Sequence, residues 1–379
     1  MLDYVNARQY LRKLAGRYGR SESQLVTVLN DGEYPTSRLY PTSALIMAMS
    51  STTSTKPDSL RPILAHIRAH LSSPPPSHTP GSPPLFVALQ GPQGSGKTFL
   101  ARHIAAALSE ESLHVATLSI DDLYLPHVDL AVLADTHPSN PLLRGRGQPG
   151  THDIPLGLSI LHALKGINNT SGSEVVKIPF FDKSLFNGEG DRVPESEWTS
   201  VEGPLDVVIF EGWCVGFCPK TREEIERRMD QPLKGLEGTF DLSQYSLSSV
   251  LEVNERLGGY VKWWEMFDVF VQIAPLESHP YVHIYKWRLQ QEHAMKAKNG
   301  GHGMSDEQVK AFVDRYIPGY HFFGDGIASG GTDPHSGVRI QLPWLGTQGS
   351  QERTDGRDGG RLLRVTIGEG REVVQLTTI

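Results

Sequence analysis

The run Gly91-Pro92-Gln93-Gly94-Ser95-Gly96-Lys97-Thr98 fits the phosphate-binding pattern G-x-x-x-x-G-K-[ST] at every defined position. Glycines in such a loop let successive backbone N–H groups turn inward around a β-phosphate, which a side chain would obstruct. Lys97 then reaches the β- and γ-phosphates as a point charge, and the Thr98 hydroxyl is a ligand for Mg²⁺. These residue types bind a nucleoside triphosphate. By themselves they leave ATPase, GTPase and kinase open.

Two more positions supply carboxylates. Ser119-Ile120-Asp121-Asp122-Leu123-Tyr124 follows an apolar run, so Asp121 is a candidate general base toward a substrate hydroxyl. The competing use of Asp121 or Asp122 is to cap the next segment. Asp206-Val207-Val208-Ile209-Phe210-Glu211-Gly212 reads as a Walker B strand whose Glu211 holds Mg²⁺ through water or orients the base.

Between them lies a polar segment rich in anion-binding groups: Arg144 and Arg146, His152 and Asp153, Lys183, and Arg192. It reads as an acceptor pocket, because guanidinium groups grip a carboxylate bidentately. Each arginine could equally be a solvated surface charge, and His152 a structural hydrogen-bonding residue. Farther on, 280–298 reads as a basic helix suited to a lid, with Arg288 the candidate to neutralise charge on a migrating phosphoryl group. Ser305-Asp306-Glu307-Gln308 fits a capping box. Tyr260, Trp263, Trp264 and Phe267 are spaced as one buried helix face rather than a nucleobase platform.

The elements that must hold these residues follow from periodicity. Leu85–Leu89 is a short apolar run before the loop, and Thr98–Leu108 is an apolar-faced helix after it, giving strand, loop and helix in the required order. Further strands are expected at His114–Ile120, Leu205–Phe210 and Val269–Ile273, with crossovers between them. The fold expected is α/β, with a mostly parallel sheet flanked by helices, a helical lid and a C-terminal hairpin. The domain reading is a flexible leader over 1–58, a P-loop catalytic domain over 59–323, a Gly-rich disordered insertion over 324–360, and a hairpin over 361–379 that completes the domain. Met49 is an alternative start.

Composition bounds the partners. The 379 residues are 38% hydrophobic and 21% charged, enough for a sizeable core. A net charge of −7 provides no general basic field, so nucleic acid is not an expected partner. No membrane span or targeting segment is read, and the two cysteines, Cys214 and Cys218, are expected as reduced thiols of the cytoplasm or nucleus rather than a zinc site. Oligomeric state is not read.

The series GPQGSGKT, SIDDLYL, NPLLRGRGQPGTHD, FDKSLFNGEGDR, VVIFEGWCVGF, FVQIAPLESHPYVHIYKWRLQQEHAM and GMSDEQVKAFVDRYIPGY resembles, in order, the plant and fungal D-glycerate 3-kinase family. That family includes fungal ATP-dependent kinases and sits within the phosphoribulokinase, uridine kinase and pantothenate kinase group of P-loop kinases. The resemblance spans about Leu85 to Tyr320. It implies the P-loop NTPase fold, ATP as donor, Mg²⁺, and D-glycerate as the small acid that is phosphorylated to 3-phosphoglycerate. It also implies Asp121 as base or Mg²⁺ partner and Glu211 as the carboxylate after the Walker B strand. Departures are the long leader, the glycine-rich stretch after Gly324, and cysteine at position 214. Competing readings are a kinase of the same fold acting on a nucleoside or pantothenate-like acceptor, and an ATP-hydrolysing switch or binding protein.

Overall fold

Period-two alternation in the central strands decides which side chains face which layer. The computed structural model describes residues 57–169, 175–278, 280–298, 301, 303–346 and 360–379. Its strands, in chain order, are β1 (Leu85–Gln90), β2 (Val115–Ser119), β3 (Val175–Ile178), β4 (Phe181–Asp182), β5 (Asp191–Arg192), β6 (Thr199–Glu202), β7 (Val207–Gly212), β8 (Val269–Pro275), β9 (Gly331–Thr332), β10 (Arg339–Ile340), β11 (Leu362–Ile367) and β12 (Val373–Thr378). Six of them form one sheet in the order β12-β11-β8-β1-β7-β2. All its neighbours are parallel except β11 and β12, which pair antiparallel.

Phe86, Ala88, Val208, Phe210 and Phe270 point into one apolar layer, together with helices Ile154–Gly166 and Leu247–Leu257. Val87, Leu89, Val207, Ile209, Val269, Val271 and Ile273 point into the other, against helices Leu60–His70 and Lys97–Glu110. A sheet covered on both faces needs continuous apolar runs, and β1 and β7 have them. Edge strand β2 instead alternates half-buried and buried positions. Tyr260, Trp263, Trp264 and Phe267 are fully buried, as their helical spacing predicts. Burial of side chains this size contributes roughly 2–3 kcal/mol each.

Ser305 and Gln308 form the capping box of helix Asp306–Asp314, and helix Ile317–Phe323 follows. The expected 280–298 helix runs Val282–Lys298. Cys214 and Cys218 are free thiols buried in the first layer, where burial pushes the Cys218 thiol up to about 12.

One expectation needs correction. Composition marks 324–360 as a disordered insertion, yet 324–346 carries helix Gly326–Ser329 and the β9–β10 ladder. Trp344 is sealed in the core, its Nε1 donating to the Ile327 carbonyl at 2.9 Å, its ring 4.5 Å from that of Phe270. Arg228 grips Asp325 through both guanidinium nitrogens at 3.0 and 2.8 Å, and Lys220 reaches the same carboxylate at 3.0 Å. Average composition hides such anchors because a few side chains suffice to fix a glycine-rich path. Residues 347–359 of that stretch, and 1–56 of the expected leader, lie outside the described residues.

Asp58–Gln290 with Met304–Ile379 form one compact unit, which holds the site residues, while the described residues 291–298, 301 and 303 fall outside it.

Candidate active site

Parallel register brings the ends of β1, β7 and β2 together, with Leu89 opposite Glu211 and Glu211 opposite Ser119. Ligands of open α/β sheets lie outside these carboxyl ends. Gly91 follows β1 and the loop closes into helix Lys97–Glu110. Gly94 and Gly96 have φ of 74° and 87°, a region that glycine enters without strain. Ser95 ties the loop to itself, its hydroxyl donating to the Pro92 carbonyl at 2.8 Å. Gln93 donates from its backbone N–H to the Tyr320 hydroxyl at 3.3 Å, and that hydroxyl donates in turn to the Gln93 side-chain carbonyl.

The Thr98 hydroxyl donates to Glu211 Oε1 at 2.9 Å. Glu211 is buried, and its Oε2 has no hydrogen-bond partner among the described residues. A carboxylate oxygen left so is ready for a cation or its water.

Asp121 stands in a short turn after β2, where its N–H donates to Ser119 Oγ. Its carboxylate accepts from Lys183 Nζ at 2.5 Å. Burial alone would push its pKa up, but the ammonium groups of Lys183 and Lys97 outweigh this and hold it well below the usual carboxylate range. Lys183 in turn is raised, because Asp121 more than offsets the cost of burial. Asp122 takes a different part: its Oδ1 accepts from the Phe181 N–H at 3.2 Å, fixing the β4–β5 ladder beside which Lys183 sits.

His152 is buried between aromatic rings, stacked on Tyr124 at 4.3 Å and edge-on to Tyr260. Burial lowers its pKa to about 3, although Asp121 pulls the other way, so it is neutral. Its Nδ1 shares a 2.7 Å hydrogen bond with the Tyr260 hydroxyl. That hydroxyl also accepts from the Gly150 N–H at 2.8 Å. Nε2 has no partner among the described residues.

The arginines of the middle segment do not converge. Arg146 is half-buried, its guanidinium 5.7 Å from the centre of the Phe181 ring and donating to the Gly188 carbonyl at 2.6 Å. Arg144 is exposed and donates to the Pro138 carbonyl at 2.9 Å. Arg192 pairs with Asp153 at 2.8 Å, and Asp153 caps helix Ile154–Gly166 through the Leu156 N–H. Both residues are thereby engaged with each other and with the helix start. The Arg288 backbone N lies against the loop, 2.8 Å from where a Cβ on Gly94 would sit, but its guanidinium is 5.2 Å over the Phe312 ring.

Residue-by-residue reading gave Tyr124 and Tyr320 no part in the site and took Tyr260 as core alone. Tyr316 and Tyr320 sit four apart in 316–320, a spacing that presents both on one helical face, and both rings pack on Trp213.

No family model matches the chain. Among curated proteins it is 39% identical over 246 residues to the "Uncharacterized kinase mug58" of Schizosaccharomyces pombe, covering 64% of this chain and 82% of that protein. It is 34% identical over 293 residues to the chloroplastic D-glycerate 3-kinase of Arabidopsis thaliana, covering 77% of this chain and 54% of that protein. Among solved structures it resembles D-glycerate 3-kinase from Cryptococcus neoformans, with a TM-score of 0.68 and 38% identity over 84% of this chain and 96% of that one.

Proposed function

The chain belongs to the family of ATP-dependent kinases that includes D-glycerate 3-kinase, and on that premise we propose that it transfers the γ-phosphoryl group of ATP to the 3-hydroxyl of D-glycerate, yielding 3-phosphoglycerate and ADP. The observation that carries this reading is the Asp121 carboxylate bonded to Lys183 Nζ at 2.5 Å, at a strand end beside the phosphate loop, where the charge of Lys97 also reaches it. A group so placed stands where donor and acceptor meet.

The loop amides and Lys97 bind the triphosphate. Asp121 orients the acceptor hydroxyl and takes its proton as the new O–P bond forms and the bond to the β-phosphate oxygen breaks. A loose phosphoryl-transfer transition state asks little of a base, so a carboxylate of depressed pKa serves. Lys183 is the cation that does most to depress Asp121. A glycerate carboxylate that draws Lys183 toward itself therefore makes Asp121 more basic as the acceptor arrives. Arg146 and the unpartnered His152 Nε2 complete the proposed contacts to the small acid. Arg288 keeps the role of closing over the transferred group, which requires its guanidinium to leave Phe312.

The residues present fit Mg²⁺. The Thr98 hydroxyl and the Glu211 carboxylate are hard oxygen donors, two from the protein. That suits an ion that takes most of its ligands from phosphate and water, with Asp121 as a further partner. When bound, Mg²⁺ neutralises charge on the β- and γ-phosphates. No helix among the described residues is long and apolar enough to cross a membrane. A reducing compartment such as the cytoplasm or nucleus is part of the proposal, and cell fractionation tests it.

A coupled ADP-release assay over D-glycerate, L-glycerate, uridine and pantothenate tests the acceptor. Selective turnover of D-glycerate is expected. Turnover of uridine without glycerate, or acceptor-independent hydrolysis alone, would overturn the proposal.

A further inference from the structure

A loop that commits its N–H groups inward to phosphate leaves its carbonyls facing outward, and each needs a partner to keep the loop in that shape without nucleotide. The Pro92 carbonyl has Ser95. The Gly94 carbonyl accepts from Arg371 Nε at 2.8 Å, across the whole length of the domain in sequence. Arg371 sits in the turn between β11 and β12, which is closed by the Gly368 N–H to the Glu372 carbonyl at 2.9 Å and the Arg371 N–H to the Gly368 carbonyl at 3.0 Å. Its φ of 69° is uncommon for a residue with a side chain. The turn thus holds an arginine in a conformation that glycine would adopt more readily.

The rest of the guanidinium is engaged as well. Nη1 donates to Gln290 Oε1 at 3.1 Å, Nη2 to the Trp287 carbonyl at 3.4 Å, and the group lies 5.8 Å from the centre of the Trp287 ring. Trp287 is fully buried, and its Nε1 donates to the Glu369 carbonyl of the same turn at 2.6 Å. A Cβ on Gly94 would lie 2.6 Å from the Trp287 carbonyl carbon. Phosphate loop, helix Val282–Lys298 and hairpin turn therefore meet at Gly94, with a buried ring as the floor and one arginine as the pin.

We propose that Arg371 is a positioning residue for the nucleotide: it holds the Gly94 carbonyl outward so that the loop amides face the phosphates, making the C-terminal hairpin part of the ATP site. The role depends on the forked guanidinium, since one nitrogen fixes the loop while the others fix the helix.

Calorimetric titration of the intact protein with the non-hydrolysable analogue β,γ-imido-ATP and Mg²⁺ tests this independently of the acceptor. Arg371→Ala is expected to weaken binding about tenfold and raise the KM for ATP by the same factor, the scale of one charge-assisted hydrogen bond, with the acceptor KM within about twofold. Guanidinium chloride at low millimolar concentration should restore part of the loss in this variant and do nothing for the unmodified protein. Arg371→Lys, which keeps charge and stem without the fork, should fall between, and it carries the test if the alanine variant does not fold. Lys286→Ala removes the 2.9 Å Lys286–Glu369 pair that ties the same turn to the helix without touching the loop, and should bind nucleotide normally. Undiminished affinity in both Arg371 variants would overturn the proposal. So would equal losses in Arg371→Ala and Lys286→Ala, which would make the turn a brace rather than Arg371 a specific contact.

Discussion

Residues 91–98 are built of main chain and hold their function in consecutive positions, whereas residues 144–192 are built of side chains that face three different ways. In the loop, spacing alone dictates geometry, because consecutive peptide groups cannot be far apart. In the middle segment Arg144 goes to the surface, Arg192 goes to the Asp153 cap, and Arg146 lies half-buried beside Phe181. The same residue type thus does three jobs, and only the fold separates them. Lys183 and His152 come to the neighbourhood of Asp121 on different elements, one beside the β4–β5 ladder and the other in a buried aromatic stack.

The largest break in this comparison comes where the two regions meet. Asp121→Asn should lower kcat about a thousandfold while leaving ATP affinity within about twofold, read by the coupled assay and by titration. Near-normal turnover would remove Asp121 from the transfer step. Lys183→Met should act on the acceptor side alone, raising the acceptor KM about tenfold to a hundredfold with the ATP KM unchanged. An equal rise in both would erase the division between the halves.

His152 sharpens the comparison through pH. Its folded pKa of about 3 lies below the ordinary 6.5, so its contribution to stability is full above pH 6.5 and is lost as pH falls toward 3. The loss approaches about 1.4 kcal/mol per pH unit at most within that window. Denaturant midpoints of the unmodified protein and His152→Gln, measured from pH 8 to 5, should therefore converge on acidification. The smallest effect is expected at Arg144→Ala, with kcat and both KM values within about twofold, as for an exposed arginine bonded to one carbonyl. A tenfold rise in acceptor KM there would return Arg144 to the pocket.

The sheet was legible because its strands carry continuous apolar runs, with Glu211 and Asp121 beside two strand ends. Their bounds differ from expectation by one or two residues at most, as at Leu205–Phe210 against Val207–Gly212. Arg371 was not legible, since nothing local marks an arginine in a terminal turn as the partner of a carbonyl 277 positions earlier. The path of 324–346 was hidden for the opposite reason: its many glycines outweigh Asp325, Ile327 and Trp344 in any average, though those three fix it.

The central claim is that a triphosphate on the loop meets an acid hydroxyl at Asp121. Phosphorus NMR of the product formed from ATP and D-glycerate tests it most directly. The account predicts phosphate esterified at the 3-hydroxyl in step with ADP. Esterification at the 2-hydroxyl, or ADP accompanied only by inorganic phosphate, would contradict it.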